Sequence, residues 1–463
     1  MKQAGPAKLT RPNTQTAHPR ERLFQLIERS HEKKVIWISG PAGSGKTTLA
    51  ASYFESRKAS CLWYQIDEGD ADISTFFYYM GLAAKRMSPR RRRPLPLLTP
   101  EYLLGIPAFA KRFFEDLCER LIGKNIRRPD SETFGSAIVF DNYQDVPDDS
   151  PFHDAINSGF SAIPQGVNVI VLSRGNPPPA YVRLHARGEM SVIGWEDIRL
   201  TADESDAIAK LKAEKDLGSR TLSVLRKASD GWVAGLVLLI ESLKTQDFDF
   251  QIPSHLLREE IFSYFATELF YRGSQDTRNF LLKTSFLPKM SARMAGELTK
   301  NPRASRIFHD LNRKNYFIYR YASYSQVFQY HPLFREFLLD KAEETMAPRR
   351  LAETRRRAAK VLEENGYPED AIALFLEVKE WSEAMRVILA KAPALISQGR
   401  WQTLQGWIES FPASAVKHEP WLLYWLGICR LPVSTQESHV LFEKAFNLFR
   451  ERSDAVGTFL SLS

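Results

Sequence analysis

Eight consecutive residues constrain this chain more than any others. Gly40-Pro41-Ala42-Gly43-Ser44-Gly45-Lys46-Thr47 fits the pattern G-x-x-x-x-G-K-[ST] and stands between an apolar run, Val35–Ser39, and an amphipathic stretch that starts at Thr47. A turn of this kind joins a buried strand to a helix. The chemistry accounts for each residue type. Glycines let successive backbone N–H groups converge on phosphate oxygens that a Cβ would obstruct. The first helical turn, Thr48 included, adds unpaired N–H groups and the positive end of the helix dipole. Lys46 is expected to reach the β- and γ-phosphates, and the Thr47 hydroxyl to ligate Mg2+.

The surroundings agree with that reading. Over the first 200 residues, strand patterns at Val35–Ser39, Cys61–Ile66, Ala137–Asp141, Asn168–Leu172 and Met190–Ile193 alternate with helical ones such as Thr47–Glu55 and Ile73–Lys85. Such alternation predicts a mostly parallel sheet with helices on its faces. The strand Ala137–Asp141 ends in a carboxylate, the form of a Walker B segment, so Asp141 is expected beside Thr47 and the Mg2+. Asn142 follows, where hydrolytic P-loop proteins often carry a second acid. An amide cannot take a proton from water, which predicts slow intrinsic hydrolysis. Asp145 lies nearby but past the expected strand end. Arg174 follows the strand Asn168–Leu172, which in a parallel sheet would run beside the P-loop strand and aim the guanidinium at the γ-phosphate; the alternative is a surface arginine in a loop. The segment Ser88–Pro100, rich in proline and arginine, reads as an exposed loop.

Beyond residue 200 helical periodicity takes over. Three helix candidates (Asp276–Thr284, Ser291–Leu298, Arg303–Asn312) precede two short aromatic runs around Tyr316–Arg320 and Val327–Tyr330, the order of a winged-helix unit. From Pro348 the pattern is one of antiparallel helix pairs with turns at Gly366–Asp370, Val378–Trp381 and Gln398–Trp401, as in a helical solenoid. The expected architecture is therefore an α/β P-loop NTPase domain (1–200), a helical domain (201–270), a winged-helix domain (271–347) and the start of an α-helical, TPR-like arm (348–463). At 463 residues several packed units are required.

Composition narrows the function classes. No apolar run approaches the length of a membrane span, and residues 1–16 lack a secretory core, so a cytoplasmic location is expected. The cysteines at 61, 118 and 429 show no metal-ligand spacing and read as small buried hydrophobes. A net charge of +8 permits contact with polyanions without demanding it; the arginine runs 90–93, 349–350 and 355–357 read first as solvated loop or helix faces.

Taken together, several stretches resemble the signal-transduction ATPases with numerous domains, and among them the MalT-like regulators. They are Leu9-Thr10-Arg11-Pro12, His18 to Leu23, the P-loop, Trp63–Asp72, Ile138–Val146, Val169–Pro179, Ser229–Leu236 and His331–Leu338. The resemblance implies that ADP holds the domains closed, and that ATP with an inducer on the arm releases them to self-associate. It implies that Arg20 lies near the base or ribose, that Arg174 senses the γ-phosphate, and that His331 contacts the bound diphosphate. A partly buried structural histidine beside Phe334 is the other reading of His331. The chain departs from the family at Asn142 and at Gly231-Trp232-Val233, where a Gly-x-Pro motif is usual, so the proline contact with the base is missing or replaced.

Three functions remain open on the sequence: a regulatory ATPase, a DNA-processing ATPase, and a scaffold that binds nucleotide without hydrolysing it. The expected wing, 321–326, carries no Lys or Arg at its tip, which argues against the second. No helix-turn-helix unit with a basic recognition helix follows the arm, so a DNA-binding output is expected beyond Ser463 or on a partner. The inducer cannot be read from residue types.

Overall fold

The structure is a computed structural model that describes residues 7–14, 17–87, 93–122, 136–213, 217–243, 266–267, 270–271, 274–313, 318–322 and 326–462. Residues 90–92 of the first arginine run and the wing tip at 323–325 lie outside the described residues.

Five strands form one parallel sheet: β1 (Val35–Ser39), β2 (Cys61–Gln65), β3 (Ser136–Asp141), β4 (Val167–Ser173) and β5 (Met190–Ile193), in the order β2-β3-β4-β1-β5. Every residue of β1, β3 and β4 is buried, as a parallel sheet covered on both faces requires. Alternate side chains divide between two apolar layers. Trp37, Tyr64 and Phe140 meet Phe76, Phe77, Phe113 and Phe114 on one face. Ile36, Ile38, Val139 and Leu172 meet Phe24, Leu49, Tyr53 and Phe54 on the other.

The register fixes the site. Ser39 of β1 pairs with Ser173 of β4, and the Gly40 N–H donates to the Ser173 carbonyl at 3.3 Å. The P-loop and Arg174 therefore leave the sheet side by side. The segment 93–99 departs from the expected exposed loop: Leu95 and Leu98 are buried in the aromatic layer, because prolines that exclude an α-helix still allow an extended chain to turn every third residue inward.

Helices Trp195–Ile198, Ala202–Ala213, Ser219–Ser229 and Val233–Leu243 follow the sheet. Next come Gln275–Thr284, Ala292–Thr299 and Ala304–Arg313 with a small antiparallel sheet of β6 (Met290–Ser291), β7 (Ile318–Ala322) and β8 (Gln326–Tyr330), ordered β6-β8-β7. The three helices stand within one residue of the expected bounds; β7 begins at Ile318, residues 316–317 of the first expected run lying outside the described residues, and β6, two residues long, carries no periodic signal.

Helix pairs fill the remainder. Proline opens Pro332–Thr345, Pro348–Glu364, Pro368–Glu377 and Pro420–Arg430, where its missing N–H costs nothing. The turns between pairs use left-handed residues Gly366, Lys379 and Gly399. One apolar core runs from Leu200 to Cys429, tying the helical units together. The run 355–357 is a helix face: Arg355 pairs with Glu343, Arg356 with Glu380, and Arg357 donates to the Leu298 carbonyl. No helix among the described residues is long and apolar enough to cross a membrane.

Candidate nucleotide site

Gly43 and Gly45 hold the P-loop in the left-handed region, at φ +72° and +85°. The carbonyls of Gly40, Pro41, Ala42 and Gly43 are all engaged, the first two by Lys46 and the last two by the helical region. Lys46 Nζ donates to the carbonyls of Gly40 (2.7 Å) and Pro41 (3.0 Å) and to Ser44 Oγ (3.3 Å). The Trp232 indole N–H donates to the Ala42 carbonyl at 2.8 Å, and the Ala234 N–H to the Gly43 carbonyl at 3.0 Å. Among the described residues no backbone carbonyl accepts from the N–H groups of Ala42, Gly43 or Gly45. A loop whose carbonyls face the protein presents its amides to the opposite side, the arrangement a phosphate needs.

Helix Val233–Leu243 is pressed against this loop. A Cβ on Gly43 would lie 2.6 Å from the Ala234 Cβ and 3.1 Å from the Trp232 indole nitrogen. Gly40 is closed by Ile198, whose Cδ1 would stand 2.5 Å from an added Cβ. Where the resemblance leads one to expect a Gly-x-Pro motif, Gly231-Trp232-Val233 instead supplies a hydrogen bond to the P-loop itself. Nothing in the sequence announced that contact, because its partners are 190 residues apart.

Thr47 lies in the first turn of the helix Lys46–Ser56 and its hydroxyl donates to Asp141 Oδ1 at 3.0 Å; the Asn142 N–H donates to the same oxygen at 3.1 Å. Burial pushes Asp141 up to about 6, against the pull of the Thr47 hydrogen bond and the Lys46 charge. Burial also pushes Lys46 down to about 8, with Asp141 opposing and Arg174 adding to the fall. Desolvation therefore outweighs the attraction between these two ions. The described residues contain no group of three or more His, Cys, Asp or Glu able to hold a metal. Thr47 and Asp141 fit an ion whose other ligands are phosphate oxygens and water, the usual manner of Mg2+.

Arg174 is set by Gln144, a residue the sequence reading passed over. Gln144 Oε1 accepts the Arg174 backbone N–H at 3.0 Å, and its Nε2 donates to Asp145 Oδ1 at 2.9 Å. Behind them Trp37 Nε1 donates to the Gly175 carbonyl at 3.0 Å, fixing the loop after β4. His331 caps the N-terminus of Pro332–Thr345. Burial, then the positive charges of Arg174 and Lys46, push its imidazole down to about 3, so the start of this helix shares the electrostatic field of the P-loop.

Arg20 is buried, and Nη2 donates to Glu204 at 2.8 Å and to the Arg199 carbonyl at 3.1 Å. The Arg199 carbonyl directly follows Ile198, which closes on Gly40, and Glu204 lies in helix Ala202–Ala213, so the guanidinium joins the N-terminal segment to the helical region.

The arm also contacts the sheet domain, at the start of helix Ile73–Met87. Arg400 is 2% exposed and makes a bidentate pair with Glu369 at 2.8 and 2.9 Å. Its Nε donates to Thr75 Oγ1 at 2.8 Å on helix Ile73–Met87, whose Tyr79 hydroxyl also donates to Glu369 at 2.7 Å. Thr403 donates to Asp72, and Gly399 abuts the Leu98 carbonyl.

Comparison with known proteins adds to this geometry. Residues 266–350 match the family described as MalT winged helix domain, and residues 16–174 the family described as Nephrocystin 3, N-terminal. The chain is 25% identical over 422 residues to HTH-type transcriptional regulator MalT of Vibrio cholerae, covering 90% of this chain and 45% of that protein. It is 25% identical over 459 residues to the protein of the same name from Serratia proteamaculans, covering 96% and 49%. The chain thus spans about half the length of the curated relatives it matches. A signal transduction ATPase with numerous domains from Pyrococcus horikoshii, with a tetratricopeptide repeat sensor, superposes with a TM-score of 0.55 at 16% identity, covering 99% of this chain and 68% of that one. That likeness speaks for the fold: a P-loop sheet, helical units and a repeat arm.

Proposed function

We infer, from the fact that this chain is a MalT-like homologue built on the fold of the signal-transduction ATPases with numerous domains, that it works as a switch controlled by ATP and ADP. One observation carries the reading. The P-loop carbonyls are bonded by Trp232 and Ala234 of the helical region, while His331 shares the charge field of Lys46 and Arg174. Three separate units therefore converge where the phosphates belong.

In this reading the P-loop amides and Lys46 bind the polyphosphate, with Mg2+ held by Thr47 and Asp141. Arg20 serves the base or ribose side. A diphosphate is held by the loop and His331, which keeps the units together. A γ-phosphate brings charge to Arg174 and strains that closure. The contact of Arg400 with Glu369 and Thr75 supports a closed arm, which an inducer or protein partner on the helices would release. Self-association follows opening. The setting is the cytoplasm. Asn142 favours slow hydrolysis that resets the switch.

The test is to size the purified chain with ADP, ATP and a slowly hydrolysed ATP analogue, beside Lys46→Ala. The expected result is a monomer with ADP, larger species with the analogue, and neither response in the variant. Undiminished adenine-nucleotide affinity in Lys46→Ala would overturn the reading.

A further inference from the structure

We propose that Asp145 is the carboxylate that takes the proton from the attacking water when this chain cleaves a bound nucleoside triphosphate, the task the Asn142 amide cannot perform. The inference rests on the nucleotide-switch reading above and deepens it.

The backbone brings this residue to the site. Asn142 adopts the left-handed conformation, φ +60° and ψ 42°, which asparagine tolerates better than most side chains. That reversal starts the short turn Tyr143–Asp145, and the Asp145 N–H closes it on the Asn142 carbonyl at 3.0 Å. A carboxylate that lies beyond the strand in sequence is thereby folded back to the carboxyl edge of the sheet.

The Gln144 amide then fixes its orientation. With Nε2 on Asp145 Oδ1 and Oε1 receiving the Arg174 N–H, the amide has one satisfactory orientation. Flipping it would set oxygen against carboxylate and NH2 against N–H. The same side chain therefore holds both the carboxylate and the arginine assigned to the γ-phosphate. Asp145 is half-buried, and among the described residues its side chain makes no hydrogen bond other than that from Gln144.

The neighbouring acids are committed elsewhere. Asp70 is buried and bonded to Lys8 and Tyr64, Asp67 pairs with Lys8 at 2.8 Å, and Asp72 serves Thr75 and Thr403. Glu204 is tied to Arg20, and Glu68 is exposed. Asp141 is spoken for by Thr47 and the Asn142 N–H. Asp145 feels the charge of Arg174 and, among the described residues, forms no ion pair. Burial pushes it up to about 6, with Arg174 opposing and the charges of Asp67 and Glu68 adding, which suits a base working near neutrality.

The step balances as follows. An O–H bond of water breaks and its proton passes to an Asp145 carboxylate oxygen. The water oxygen bonds to the γ-phosphorus, and the bond from that phosphorus to the β–γ bridging oxygen breaks, its electron pair remaining on ADP. The Asp145 carboxylic acid then returns its proton to solvent.

The experiment compares the full chain with Asp145→Asn, Asp145→Glu and the double variant Asn142→Asp/Asp145→Asn. Each is assayed for binding of a fluorescent ADP analogue and for single-turnover hydrolysis of γ-labelled ATP from pH 5 to 8. The expected outcome is unchanged ADP binding in all four proteins and hydrolysis about 100-fold slower in Asp145→Asn. The wild-type rate should fall as the pH drops through about 6, when the carboxylate becomes protonated, and the fall should be shallower in Asp145→Asn, where only Asp141 still titrates in that range. Glutamate at 145, or aspartate restored at 142, should recover part of the rate. Two results overturn the inference while leaving the switch intact: full-rate hydrolysis by Asp145→Asn, or a wild-type chain that binds ATP and never cleaves it. Failure of the wild-type chain to bind nucleotide would instead remove the reading on which it rests.

Discussion

Burial, rather than pairing, decides the charge of the residues around the P-loop. Asp141 rises to about 6 although it accepts two hydrogen bonds and faces Lys46. Its folded state thus keeps a proton that the unfolded chain releases above about 4, the ordinary aspartate range, so the stability it contributes is present at low pH and lost as the pH climbs through about 6. The nucleotide-free Asp141→Asn variant should therefore melt higher than wild type at pH 7.5 and no higher at pH 3.5; calorimetry at the two pH values decides. The same substitution should weaken Mg2+-dependent nucleotide binding, because an amide offers the ion no negative charge. Gly43 answers to geometry instead. At φ +72°, with the Ala234 Cβ 2.6 Å from any added Cβ, Gly43→Ala should cost about 1–3 kcal/mol and loosen the helical unit from the loop. Chemical denaturation measures the first effect and quenching of Trp232 the second.

At the level of elements, turns and caps explain why the helix pairs start and stop where they do. Proline at the first helical position and glycine past the end are signals that act within a few residues. Two glycines with similar backbones separate local strain from long-range fit. Gly366, at φ +86°, has nothing within 4 Å of an added Cβ, while Gly399, at φ +76°, would drive a Cβ to 2.3 Å from the Leu98 carbonyl oxygen. Gly366→Ala should cost about 1–2 kcal/mol for the left-handed backbone alone. Gly399→Ala should cost clearly more in urea unfolding, since backbone cannot step aside; equal losses would show that the arm does not bear on the segment 93–99.

For the molecule as a whole, the informative contact is the one between arm and sheet domain. Arg400 is nearly inaccessible and spends its guanidinium on Glu369 and Thr75, which belong to different units. Arg400→Ala leaves Glu369 and the Thr75 hydroxyl short of a partner. The loss should be about 3 kcal/mol, the low end for a broken buried pair because Glu369 is a third exposed. The variant should also scatter X-rays as a larger particle and expose helix Ile73–Met87 to proteolysis; an unchanged radius of gyration would mean that other contacts keep the arm in place.

The sequence by itself determined the sheet, the P-loop with its lysine and threonine, the Walker-type carboxylate at 141, and the order of helices and hairpin. Each depends on neighbours a few residues apart, through side-chain period, glycine freedom or proline's missing N–H. Tertiary structure alone decided that Trp232 bonds the loop, that Leu95 and Leu98 are core, that Gln144 couples Arg174 to Asp145, and that Arg400 locks the arm. These contacts join residues remote in sequence, or depend on one left-handed asparagine, and the charge states follow from water being excluded by segments the local sequence does not specify.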